Sequence, residues 1–172
     1  MSSPSSPHYR GSKRADKEDK KFIEEKDGKV IIYPQAFDII WGGDDRYWKI
    51  SKDTPSPVEL VQVCWLEVTG SYDIKSLEEN TEYKLQFDVE PKADAFGWNN
   101  PVYVMAKVGD TRKWKKFDLS RDCRSPTNPA IVFNTGSKEK NPKLAFGLYD
   151  IWTGRWKGGL HIKSVIISPN KA

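Results

Sequence analysis

The sequence predicts an all-β chain, an antiparallel β-sandwich of jelly-roll-like build behind a disordered N-terminal tail. Three observations carry that expectation. Between Thr81 and Glu90, Tyr83, Leu85, Phe87 and Val89 alternate with Glu82, Lys84, Gln86, Asp88 and Glu90; a period of two is a strand with one face in a core and one in water. About nine short runs rich in β-branched and aromatic residues recur at short spacing, separated by Gly, Pro, Asn and Ser, as in sandwiches. Residues 1–28 open Ser/Pro-rich and carry seven basic and six acidic side chains with almost nothing apolar, too little to offset the entropy of ordering them.

Taken in order, the tail spans residues 1–28, with a helical turn near Phe22-Ile23-Glu24-Glu25, and the domain 29–172. Strands are expected at Val30–Tyr33 and Phe37–Trp41, with Pro34 marking the break because it cannot donate to a ladder. Val61–Thr69 has a mixed pattern that suggests burial on both faces. Further strands are read at Val102–Val108, Trp114–Leu119, Ala130–Phe133, Leu144–Tyr149 and Leu160–Ser168. Turns fall at Gly97–Pro101, Ser125–Pro129 and Thr135–Ser137, and Ser76–Asn80 offers one helical turn. No repeat period appears.

Composition removes several classes of function. Two cysteines, Cys64 and Cys123, show no CxxC spacing and the histidines are His8 and His161, which does not provide a zinc site. No GxSxG elbow accompanies His161, so acyl transfer lacks its nucleophile and base. Gly42-Gly43 is followed by acids rather than by the Lys and Ser/Thr of a phosphate loop, and Asp44-Asp45 lacks the ligand spacing and closing Glu of an EF-hand. Paired carboxylates for glycoside hydrolysis would require Asp44, Asp45 and Asp150 to converge at a set separation. No run approaches a membrane span and no signal peptide opens the chain, so a cytosolic setting with reduced thiols is expected. Cys64 reads as a small core residue, and Cys123, between Arg121 and Arg124 in sequence, as the more reactive thiol. With 28 basic and 24 acidic residues and a pI near 8.9, the surface is mixed rather than a basic stripe. Arg112–Lys116 and Lys138–Lys140 are the basic pieces that phosphates would meet, and RNA binding through them is the competing reading.

Two loops stand out chemically. Phe37–Trp41 runs into Gly42-Gly43-Asp44-Asp45-Arg46 and returns as Tyr47-Trp48, while Tyr149-Asp150 leads into Trp152, Arg155, Trp156, Lys157 and Gly158. Seven Trp in 172 residues exceed what one core needs when each ring buries roughly 150–250 Å². A sugar ring has a C–H face that packs on indole and a hydroxyl rim that seeks carboxylates and amides, and a concavity with a few convergent polar groups satisfies both. The candidate site is therefore Trp41, Arg46, Tyr47 and Trp48 with Asp150, Trp156, Lys157 and Gly158. Trp48, following the polar turn, is the expected platform, and Trp41, ending an apolar run, is half committed to packing.

Phe37-Asp38-Ile39-Ile40-Trp41, then Tyr47-Trp48, then Val63-Cys64-Trp65-Leu66-Glu67-Val68, and Trp156-Lys157-Gly158-Gly159-Leu160 form an ordered set that resembles the phloem protein 2 family of plants, the Nictaba-like lectins, over about residues 30–169. The resemblance implies a carbohydrate-binding-module-like β-sandwich and a nucleocytoplasmic or phloem-sap lectin with a part in plant defence. Its ligands would be N-acetylglucosamine oligomers (chitooligosaccharides), N-glycan cores and glycoproteins; it would lack catalysis, metal or cofactor, bind no membrane and form a homodimer. Sugar-binding roles carry over to Trp41 and Trp48, and an acidic role to Asp150 where the tobacco lectin has Glu. Some members are associated with RNA movement and with disulfide-linked filaments.

Overall fold

The alternating segment forms the longest strand of the molecule. Tyr83, Leu85, Phe87 and Val89 are buried and their neighbours are not, and the strand runs on to Phe96. The computed structural model describes residues 20–119, 128–137 and 143–170, and among them twelve strands are present. In chain order they are β1 (Ile23–Lys26), β2 (Lys29–Ile32), β3 (Asp38–Ile39), β4 (Trp48–Lys49), β5 (Val58–Leu60), β6 (Leu66–Asp73), β7 (Glu82–Phe96), β8 (Val102–Val108), β9 (Thr111–Phe117), β10 (Ala130–Asn134), β11 (Lys143–Asp150) and β12 (Gly158–Pro169).

Every strand pairing is antiparallel, and the strands form two sheets. In the seven-stranded sheet β12 is central: β7 lies along one side of it with β10 beyond, while β2 and β5 share the other side and carry β1 and β4. The second sheet has the order β3-β6-β11-β8-β9. Their inner faces meet in one core, where Phe37, Phe87 and Phe146 form an edge-to-face triad with ring centroids 5.7–6.2 Å apart, the geometry aromatic quadrupoles favour. Two register shifts between β12 and β7, at Gly158/Leu160 and Ile162/Ser164, let a twelve-residue strand bury Ser164 and Val165 in succession without losing its pairing.

Several boundaries differ from expectation for identifiable reasons. Residues 1–19 lie outside the described residues, but the segment from Lys20 to Gly28 is folded: a 3-10 turn at Lys20–Phe22 precedes β1, which pairs with β2. The charges of β1 sit on the exposed hairpin, while Phe22 is fully buried and Tyr72 of β6 donates its hydroxyl to Glu25, so a segment that looks solvated contributes one anchor and one acceptor. The run Val61–Thr69 is divided. Its first part is a connection held by the Val61 amide on the Tyr47 carbonyl at 2.8 Å and by a bridge between Val63 and Lys157, and only Leu66 onward forms a strand. Phe37–Trp41 is strand only at Asp38–Ile39, following a 3-10 turn at Pro34–Ala36. The helical turn falls at Ile74–Ser76, where the Asp73 carboxylate accepts from the Lys75 amide at 3.0 Å, a cap that the later Ser76–Asn80 span lacks. Cys64 is half-buried, Cys123 lies outside the described residues, and so does Lys138–Lys140.

Phe22 tests whether the hairpin belongs to the domain. Phe22→Ala should lower stability by about 3 kcal/mol or more, as buried Phe truncations do, read from the denaturant midpoint; a change below about 1 kcal/mol would make the hairpin peripheral.

Candidate functional site

The first loop is wound by its own backbone. The amide of Gly42 donates to the Ile39 carbonyl at 2.9 Å, that of Asp44 to Trp41 at 3.1 Å, and those of Tyr47 and Trp48 both to Asp44 at 3.0 Å. These successive turns hold Trp41 at a φ of 71°, left-handed backbone that a bulky residue adopts at a cost of order 1–3 kcal/mol and that clusters at functional sites. The indole of Trp41 is partly buried and meets Tyr47 edge-on, centroids 4.7 Å apart. Arg46 forks onto Asp44, Nη2 to Oδ2 at 2.7 Å and Nε to Oδ1 at 3.0 Å, which holds the Asp44 carboxyl below its ordinary range, and its guanidinium lies 5.2 Å over the Tyr47 ring.

Trp48 does not present a platform. It pairs with Leu60 in the short β4–β5 ladder and is only 2% exposed, which reverses the expected ranking of the two indoles. A ladder position opposite a core Leu turns its ring inward, whereas Trp41 sits on the turn and keeps part of its ring at the surface. Among the described residues, the indole N–H groups of Trp41 and Trp48 have no hydrogen-bond partner.

The second loop is closed at its root. Leu144, Phe146, Leu148 and Asp150 occupy the inward side of β11, so the alternation that buries the apolar residues also buries a carboxylate. Lys157 answers it: its Nζ stands 3.1 Å from Asp150 Oδ2, with both side chains at most 2% exposed, and donates to the Arg155 carbonyl at 2.7 Å. Thr153 donates to Asp150 as well. The backbone of Lys157 exchanges two 2.9 Å hydrogen bonds with Val63, and the next residue, Gly158, passes so close to Val61 that a Cβ would lie 2.0 Å from its carbonyl oxygen. Asp150, Lys157 and Gly158, expected as ligand contacts, are therefore the buried frame of the loop. Trp156, by contrast, is 49% exposed.

The fold brings Trp41, Tyr47 and Trp156 together. The Tyr47 and Trp156 rings lie 6.2 Å apart and tilted by 34°, so the two loops join in a three-ring surface with the Arg46–Asp44 pair at its margin. A second aromatic group lies outside the site residues that the sequence singles out. Tyr103 of β8, Trp114 of β9, and Tyr149 and Trp152 at the end of β11 lie within 5.1–6.3 Å of one another in successive contacts. Tyr103, Trp114 and Trp152 border a cavity of about 460 Å³ whose floor includes Asp150. Burial pushes the Tyr149 phenol up to about 12, with the Glu67 carboxylate adding to it, so it is a neutral hydroxyl near neutral pH. The signal for this group was the alternation Arg112-Trp114-Lys116, but only the pairing of β9 with β8 and β8 with β11 sets those rings side by side.

Neither Asp44, engaged by Arg46, nor Asp150, engaged by Lys157, has the open setting that paired catalytic carboxylates need. Among the described residues no group of three or more His, Cys, Asp or Glu could hold a metal ion, and no helix is long and apolar enough to cross a membrane.

The buried pair predicts a directional result. Lys157→Ala should cost about 3–5 kcal/mol, because it strands a buried carboxylate, and Asp150→Asn with Lys157→Met should recover most of that loss; a double variant no more stable than Lys157→Ala would show that the charges are not coupled. The measurement is a denaturant titration of both.

Comparison with known proteins identifies a family. The family model described as Phloem protein 2 matches residues 27–169. Protein PHLOEM PROTEIN 2-LIKE A9 of Arabidopsis thaliana is 36% identical, with 97% of this chain and 98% of the relative covered. A protein named Lectin from Luffa acutangula is 32% identical over 46% of this chain and 41% of its own length. Among solved structures, a ruminal GH26 endo-beta-1,4-mannanase aligns with 63% of this chain and 20% of its own at 10% identity and a TM-score of 0.34, too low to carry an argument. With the family match spanning most of the domain, this chain belongs to the phloem protein 2 family.

Proposed function

We propose that the chain is a non-catalytic lectin that recognises N-acetylglucosamine oligomers and the related cores of N-glycans on glycoproteins, in the cytoplasm or phloem sap, through the surface formed by Trp41, Tyr47 and Trp156. The observation that carries the reading is the junction of the two loops: three rings from opposite ends of the sequence meet where one of them, Trp156, is half exposed. An exposed indole offers the face that a pyranose C–H surface packs on, and Arg46 and Asp44 at the margin supply a donor and an acceptor for hydroxyl and acetamido groups. The lectin from Luffa acutangula supports the class of ligand. The strained backbone at Trp41 supports the place.

The roles of the residues follow from burial. Trp156 and Tyr47 carry the contact, Trp41 holds Tyr47 upright from below, and Trp48, Asp150, Lys157 and Gly158 hold the loops that present them. A homodimer forms part of this reading, and light scattering at twice the chain mass would support it.

Calorimetry with the N-acetylglucosamine trimer is the test. Trp156→Ala should weaken binding by about 2 kcal/mol, the scale of a binding hot spot, with an unchanged melting temperature, and Trp48→Ala should lower the melting temperature first. The affinity of the unaltered protein should barely change with salt, because a neutral sugar releases no counterions. No heat at millimolar trimer would overturn the reading.

A further inference from the structure

The second aromatic group lies on the outer face of the five-stranded sheet, away from the surface just assigned, and it has its own cavity. Registry places Lys116, Tyr103, Tyr149 and Glu67 in one row across β9, β8, β11 and β6, with Trp114, Met105, Gly147 and Thr69 in the next and Arg112, Lys107, Ala145 and Ser71 beyond. Directly paired residues share a face, so Arg112, Lys107 and Lys116 surround the rings on the same side of the sheet. The charge of Arg112 reaches Tyr149, where it opposes the upward push of burial on the phenol. Glu67, the cross-strand partner of Tyr149 on this face, lies three strands from β9 and is engaged by the indole N–H of Trp65 at 2.8 Å; Asp150 below is neutralised by Lys157.

The rings themselves are open. Trp114 is 46% and Trp152 58% exposed, and they are the rare case of large apolar groups left at the surface beside one another. The two indoles stand 6.3 Å apart at 72°, forming a corner. A flat base stacks on one wall of a corner and leaves the other bare, whereas a puckered sugar ring presents C–H groups toward both. Asn100 and Thr153 stand at the rim with an amide and a hydroxyl, and the cavity, about 460 Å³, falls within the range of small-ligand sites.

We propose that this cleft, bordered by Tyr103, Trp114 and Trp152 and flanked by Arg112, Lys107 and Lys116, is a second saccharide site that takes an acidic oligosaccharide, one bearing carboxylates on its sugar rings. The corner of indoles holds the C–H surface of one residue, and the cations on β9 and β8 meet the carboxylates of that residue and its neighbour. Such contacts are charge-assisted and screened by salt, which distinguishes this cleft from the neutral-sugar surface at Trp156. One loop serves both places, with Trp152 on one side of its buried root and Trp156 on the other, so a single chain joins two different glycans.

The experiment uses the full chain and a trimer of galacturonic acid as the probe, followed by calorimetry at low and moderate salt. Binding should weaken several-fold as salt rises, persist in saturating N-acetylglucosamine trimer, and fall about thirtyfold in Trp114→Ala. Because Trp114 is exposed, its variant should keep the melting temperature of the parent. Arg112→Gln combined with Lys116→Gln provides a second arm, in which affinity falls and the dependence on salt disappears. Displacement by the neutral trimer, retention of affinity in both variants, or tighter binding of a uridine oligonucleotide of equal charge would each overturn the proposal. Loss of neutral-trimer binding alone would bear on the first site and leave this one standing.

Discussion

The ion pair between Asp150 and Lys157 is the constraint on which both aromatic surfaces depend. Burying two charges costs several kcal/mol each, and close geometry with further hydrogen bonds is what offsets that cost. Here Thr153 adds to the carboxylate and the Arg155 carbonyl to the ammonium, so the loop between residues 150 and 157 is stitched to itself at the base. The two backbone bonds to Val63 then fasten it to the connection between β5 and β6. A loop with an open root would let Trp152 and Trp156 sample many positions; a closed root leaves them exposed yet directed, Trp152 against Tyr103 and Trp114 and Trp156 against Tyr47. The charged groups of this loop are its architecture and the apolar groups are its contact surface, the inverse of the usual arrangement of a domain.

The first loop follows the same economy with different means. Its turns depend on backbone hydrogen bonds to Trp41 and Asp44, and the tight path places a Trp where glycine is ordinarily found. Contact with Tyr47 and burial of part of the indole offset that strain. Around it the junction is dense: Gly97 adopts a φ of 83° and passes so near the Trp156 carbonyl that a side chain could not fit, and Trp98 donates its indole N–H to Gly158 at 2.9 Å. The end of β7, the first loop and the second loop are thereby held as one packed unit at a single end of the sandwich.

Sheet geometry, rather than a motif, produces the second cleft. Tyr103, Trp114 and Tyr149 belong to three strands whose order in the chain interposes β10, a strand of the other sheet, between β9 and β11. The register that aligns them is the one that buries Val102, Val104, Leu144 and Leu148 on the opposite side, so packing of the core sets the outer rows without further instruction. The cations of β9 also keep this edge from pairing with another strand, and leave its face available to a ligand instead.

What the sequence determined by itself was whatever a local period could express. The alternation at Tyr83–Val89, the spacing of the β-rich runs and the two aromatic loops all depend on neighbours within a few residues, and they established the sandwich, the family and the two loops that meet at Tyr47 and Trp156. Only the tertiary structure decided which aromatic rings face water. Trp41 and Trp48 are alike in composition of surroundings, but one lies on a strained turn and the other opposite Leu60 in a ladder, and no local pattern distinguishes those fates. The same holds for Asp150 and Lys157, whose charges suggested a ligand and whose burial shows that each is the other's partner. Phe22 and Glu25 resemble tail in the sequence because their partners, Tyr72 among them, are distant in the chain. In each case the deciding contact is set by packing rather than by local alternation: Trp48 meets Leu60 in a ladder, Asp150 and Lys157 close a loop, and Glu25 and Tyr72 join the two sheets, and none of these contacts leaves a period in the sequence for a reader to find.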